Sequence, residues 1–123
     1  MEEMERMLKK IEGILEKEMN YKFEAYSFVM AGLHDTVSKL SRPRHVTGRE
    51  LCEGLRDYAL EQFGPLARTV LEYWGIRSTK DFGKIVFLLI ETELLKKTEE
   101  DSVHDFEKVY DFDQAFQYEI KED

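Results

Sequence analysis

The sequence predicts a mainly α fold: a single compact domain of about five helices with a small C-terminal β arm or hairpin. Three observations carry that expectation. Apolar residues recur at three- and four-residue spacing from Met4 to Leu95. Two helix starts carry capping patterns, Thr47 with Glu50 and Ser78 with Asp81. Beyond Leu95 the helical spacing gives way to aromatics mixed with acids. The expected organisation is one domain over residues 1–123, with an N-terminal amphipathic helix (1–20), a helical core (21–97) and an acidic aromatic arm (98–123).

Residues 2–18 put Met4, Met7, Leu8, Ile11, Ile14 and Leu15 on one helical face and Glu and Lys on the other, with Asn20 as a stop. Residues 21–41 carry a seam of Phe23, Tyr26, Met30, Leu33, Val37 and Leu40, widened by Ala25, Phe28, Val29 and Gly32. A face that broad packs on more than one neighbour. Pro43 then disfavours helix at Arg42. Thr47 and Glu50 fit a capping box, and Val46 and Leu51 fall where a hydrophobic staple needs them, so a helix is expected over 48–63. Gly64-Pro65 closes that helix and opens a short one over 65–74, which Gly75 ends. Residues 79–93 read as the most buried helix; the run IVFLLI at 85–90 alone would also suit a buried strand. In the arm, Phe106, Tyr110 and Phe112 share one parity and suit a strand, while Phe112, Ala115 and Phe116 suit a helical turn. The expectation is a strand or hairpin arm near 95–112 and a helical turn near 112–118.

Composition narrows the function classes. The longest apolar run is Ile85–Ile90, far short of the roughly 20 residues that span a bilayer. MEEMERMLKK holds no apolar signal segment, and Cys52 is the one cysteine, so no internal disulfide forms. These points together indicate a cytoplasmic protein. The net charge is −8 and is unevenly spread. Residues 39–49 hold four bases and no acid, a local +4, whereas residues 98–123 hold two bases and ten acids, a local −8. An acidic chain disfavours general nucleic-acid binding, because phosphate neutralisation supplies most non-specific affinity.

The segments RHVTGRELCEGLRDYALEQFGPLARTVLEYWGI, DFGKIVF and VYDFDQAF carry a resemblance. They resemble a family of short bacterial proteins known mainly from planctomycetes, verrucomicrobia and related lineages, for which no biochemical role is established. The resemblance covers roughly residues 21–116. It implies a compact bacterial domain and transfers no functional residue.

Two sets of residues are candidate sites. Arg42, Arg44, His45 and Arg49 lie beside the start of the 48–63 helix, where unpaired amides carry partial positive charge and favour an anion. Against that, Thr47 and Glu50 already take those amides. The bases would then pair with the acidic tail or stand in a solvated linker. Tyr73, Trp74, Phe106, Tyr110 and Phe112 form a second set, either core or a partner-docking surface of aromatics rimmed by acids. The first helix offers a further docking or dimer seam in Met4, Met7, Ile11 and Leu15.

Catalytic signals are weak. Cys52 sits in an apolar stripe, where a lone cysteine is usually a small buried hydrophobe rather than a nucleophile. His34, His45 and His104 have no metal-ligand spacing, and the acids at 99–105 lack a calcium-loop pattern. No phosphate-binding glycine loop occurs. The order of elements from 48 onward suits a winged-helix-like core, but its recognition helix would offer only Arg77, Lys80 and Lys84, all at its start. The expected function is therefore a non-enzymatic protein-interaction module, with no cofactor and no metal, whose partner is another protein or a second copy. The alternative is a winged-helix-type nucleic-acid or anion-binding protein, with nucleic acid the less favoured.

Overall fold

The computed structural model describes residues 1–96 and 102–117. Five helices run in order: α1 (Glu2–Lys17), α2 (Phe23–Ser38), α3 (Gly48–Phe63), α4 (Ala67–Tyr73) and α5 (Thr79–Glu91). A 3-10 turn, Gly64–Leu66, links α3 to α4. The C-terminal arm holds a 3-10 segment, Val103–Phe106, and one short helix, α6 (Phe112–Ala115).

Helix starts and stops follow local chemistry. At α3 the Thr47 hydroxyl accepts from the Glu50 amide at 3.1 Å, and Glu50 Oε1 accepts from the Thr47 amide at 3.0 Å. Val46 and Leu51 are both buried, which closes the staple. At the end of α4, Gly75 adopts φ 99, the Ile76 amide donates to Leu71 O at 2.9 Å and the Gly75 amide to Glu72 O at 3.0 Å. That is the Schellman arrangement, and glycine suits its left-handed position. The same two bonds close α5, from Leu94 to Leu89 O and from Glu93 to Ile90 O, both 2.9 Å. There the left-handed residue is Glu93, at φ 64.

The core forms where α2 lies along α3, with α5 against both. Gly32 and Gly54 let the first pair approach: a Cβ on Gly32 would meet Leu55, and one on Gly54 would meet Thr36, whose own Cβ is 2.9 Å away. Tyr26, Leu55, Leu71, Phe82, Ile85 and Leu89 are wholly buried. Each such aliphatic or Phe side chain stabilises by about 1.5–3 kcal/mol relative to an exposed one. In α2 the second apolar row (Ala25, Phe28, Val29, Gly32) lies deeper than most of the seam, because α3 and α5 both press on it. Phe28 also gathers Tyr58, Phe63 and Trp74 at centroid distances of 5.5, 6.2 and 5.9 Å.

The expected β arm or hairpin near 95–112 does not form; no strand occurs among the described residues, and so no wing. The expectation for residues 97–101, and for the last residue of the 112–118 turn, lies outside them. The reason is physical. A strand needs a partner ladder, and the arm instead caps itself. The Ser102 hydroxyl accepts from the His104 amide at 3.2 Å, the Asp105 carboxylate accepts from the Ser102 amide at 3.0 Å, and Asp111 caps α6 through the Asp113 amide at 2.8 Å. Phe106 then plugs a notch that two glycines leave open: a Cβ on Gly83 would stand 2.7 Å from Phe106 Cβ, and one on Gly48 3.0 Å from Phe106 Cε2.

Candidate functional site

Of the bases in the 42–49 stretch, Arg44 and His45 line one cavity of about 200 Å³, whereas Arg42 and Arg49 are not in its lining. Arg44 grips Glu50 with both arms of its guanidinium, Nη1 to Oε1 at 3.0 Å and Nη2 to Oε2 at 2.6 Å, while Nη1 also donates to His45 O at 3.1 Å. Arg49 pairs with Glu53 one turn on, at 3.3 Å. Arg42 is exposed and has no ion-pair partner among the described residues, and His45 is exposed as well. Arg44 and Arg49 thus pair inside the first turns of α3 with local acids. The Arg44 guanidinium and the Thr47 amide hold the Glu50 carboxyl well below its ordinary value, at about 2.

The aromatic set divides. Phe106 and Phe112 are core residues, 3% and 4% exposed. Trp74 is half-buried against Phe28 and Phe63. Tyr110 is half-buried: its hydroxyl donates to Cys52 O at 2.7 Å, and Arg56 lies 5.7 Å over its ring. Tyr73 alone of the five is exposed, with Lys22 Nζ 4.9 Å from its ring centroid. The α1 seam also turns inward. Ile11 is buried, Met7 and Leu15 are half-buried, and Met4 stays exposed beside Leu8.

A larger cavity lies elsewhere, between the start of α5, α4 and the arm. It encloses about 620 Å³ and is lined by Arg68, Arg77, Lys80 and Lys108, by Ser78 and Thr79, by Tyr110 and Phe112, and by Glu107 and Asp111. That volume falls within the range of small-molecule sites. Four bases against two acids give this wall +2, in a chain of −8.

Local structure builds each part of the wall. Asp81 organises the start of α5: its Oδ2 accepts from the Arg77 amide at 2.8 Å and the Ser78 amide at 3.2 Å, and its Oδ1 from the Tyr21 hydroxyl at 2.5 Å. Burial, and then the Asp81 carboxylate, push the Tyr21 phenol far above its ordinary range. Thr79 and Lys80 follow with first-turn amides, which have no partner within a helix. Thr79 is buried, and its hydroxyl accepts from the Val109 amide at 3.3 Å, pinning the arm over the helix start. Arg68 pairs with Glu72 at 3.3 Å and with Asp113 of the arm. Lys108 holds a left-handed backbone, φ 51, at the turn between Phe106 and α6.

Sequence reasoning placed Arg77 and Lys80 at a helix start but missed Arg68 and Lys108. They join the site only because the arm folds back, and no spacing pattern signals that. Among the described residues, no cluster of three His, Cys, Asp or Glu side chains is placed to hold a metal ion, and no helix is long and apolar enough to cross a membrane. Compared with family models, with curated proteins and with solved structures, the chain matches none.

Proposed function

We propose that this protein is a non-enzymatic binding module whose ligand is a small anionic molecule held in the cavity beneath the arm. The carrying observation is the placement of Arg77, Lys80 and Lys108 on one 620 Å³ cavity without an ion-pair partner among the described residues. An excess of cations on one concave wall attracts anions over solvent distances. The non-enzymatic reading is supported by the titratable groups. Burial pushes the Cys52 thiol up to about 12, and burial raises the phenols of Tyr21, Tyr26 and Tyr110 as well, so each stays in its unreactive protonated form. The test is calorimetric titration with citrate and inorganic phosphate at low ionic strength. Binding that weakens in Arg77→Ala and in higher salt supports the reading; no heat from either anion at low salt overturns it.

A second reading, protein docking or self-association, is favoured by one feature. Met4 and Leu8, one turn apart on α1, are 57% and 38% exposed, beyond the part of the helix that Ile11 and Ile14 anchor. Light scattering on Met4→Glu and Leu8→Glu tests it without removing the anchors: an oligomer that both variants dissolve supports docking through this edge. The nucleic-acid reading has less support. The arm packs on α5 through Phe106, and the bases of that helix stand only on its first two turns.

A further inference from the structure

We propose that the ligand class is a phosphate monoester of a small organic body. This rests on the anion-binding reading above and names its chemistry. Glu107 faces His104 Nδ1 at 3.3 Å, and Asp111 caps α6 through the Asp113 amide. Arg68 is held by Glu72 and Asp113. Glu107 and Asp111 keep their charge, and Arg77, Lys80 and Lys108, from two chain segments, are the cations of the wall without an ion-pair partner among the described residues. A monocarboxylate offers these three cationic donors only two oxygens. A phosphate monoester brings a charge of about −1.5 to −2 at pH 7 and three acceptor oxygens, one for each cation. Ser78, Thr79 and Lys80, at the start of α5, line the same wall, and a helix start is where such oxygens find donors.

The cavity also asks for more than the phosphate. Five heavy atoms of bare phosphate fill a minor part of 620 Å³. The remaining wall is aromatic: the Tyr110 ring stacks on Phe112 at 6.1 Å and 27°. Because the Tyr110 hydroxyl is bonded to Cys52 O, that ring presents carbon to the cavity. An apolar body attached through the phosphoester oxygen fits there.

The experiment is calorimetry on the full chain at low ionic strength and pH 7.5 with phenyl phosphate, inorganic phosphate, benzoate and citrate. The expected order is phenyl phosphate at least tenfold tighter than benzoate and tighter than inorganic phosphate. Affinity is expected to drop several-fold at pH 5, where the phosphate carries one charge fewer. Lys80→Ala is expected to lose at least fivefold. Lys108→Gly is expected to lose as much while its thermal midpoint holds or rises, since glycine accepts the left-handed backbone; this separates the lost charge from lost folding. If citrate or benzoate binds as tightly as phenyl phosphate, the phosphate assignment is overturned and the anion cavity stands. If none of the four anions binds, both fall. If binding survives loss of all three bases, the location is wrong.

Discussion

The Tyr21 hydroxyl donates to Asp81 Oδ1 at 2.5 Å across 60 residues of sequence, joining the α1–α2 connection to the cap of α5. Asp81 accepts from two backbone amides as well, so the phenol completes its shell. Tyr21→Phe removes one hydrogen bond to a charged group and is expected to destabilise by about 1.5–3 kcal/mol. Tyr26 gives the contrast. Its hydroxyl is buried without a hydrogen-bond partner, so Tyr26→Phe is expected to be neutral or stabilising by up to about 1 kcal/mol. Urea midpoints at unchanged slope check both, and equal losses would refute the distinction.

The glycine notch makes a second prediction. Alanine is the better helix former by about 1 kcal/mol, yet Gly83→Ala would press its Cβ to 2.7 Å from Phe106 Cβ. Overpacking costs about 1–3 kcal/mol, so a net loss is expected. The loss should shrink when Phe106 is cut to Leu, because the two positions share one contact. Thermal melts of the two single variants and the double variant measure this coupling.

Acid sensitivity at α3 follows from Glu50. Its carboxyl titrates near 4.5 in the unfolded chain and near 2 when folded, so its contribution to stability is complete above pH 4.5 and fades as pH falls toward 2. Glu50→Gln should therefore melt lower than the parent near neutral pH, and the gap should close by pH 2. Arg44→Ala should show the same closing gap, and raised salt should narrow it, since the pair is solvent-exposed. Arg42→Ala should leave the curve unchanged. Circular dichroism melts between pH 2 and 7 decide each point.

Glu93 supplies the fourth prediction. It holds the left-handed position that closes α5, which a side chain adopts at a cost of about 1–2 kcal/mol. Glu93→Gly keeps the two closing hydrogen bonds and is expected to stabilise by about 0.5–1 kcal/mol, some of the relief being offset by glycine's greater freedom when unfolded. A lowered melting midpoint would contradict this.

The same residues show what was legible in advance. The bounds of α3 could be read because Thr47, Glu50 and Gly64 mark them chemically, and the Gly75 stop of α4 likewise. The end of α5 was less clear, because Glu93 does the work of a glycine and no glycine announces it. The arm misled because alternation of Phe106, Tyr110 and Phe112 looks like a strand when the surface they pack against is unknown. Gly48 and Gly83, half of that surface, read only as helix glycines. Arg42, Arg44, His45 and Arg49 drew attention as neighbours in sequence, yet two of them are engaged by acids on the next turn. Arg68, Arg77, Lys80 and Lys108 line one cavity because three elements meet, and proximity of that kind is not written in spacing.

The plug at Phe106 bears on the order of folding. Residues 102–117 are synthesised after all five main helices, yet they fill the notch over Gly48 and Gly83 and place Lys108, Tyr110 and Phe112 at the cavity. A nascent chain with α1–α5 already outside the ribosome still exposes the apolar seam between α3 and α5, and the cavity lacks its arm wall. The plug and the arm wall of the cavity are therefore completed together, when residues 102–117 fold back.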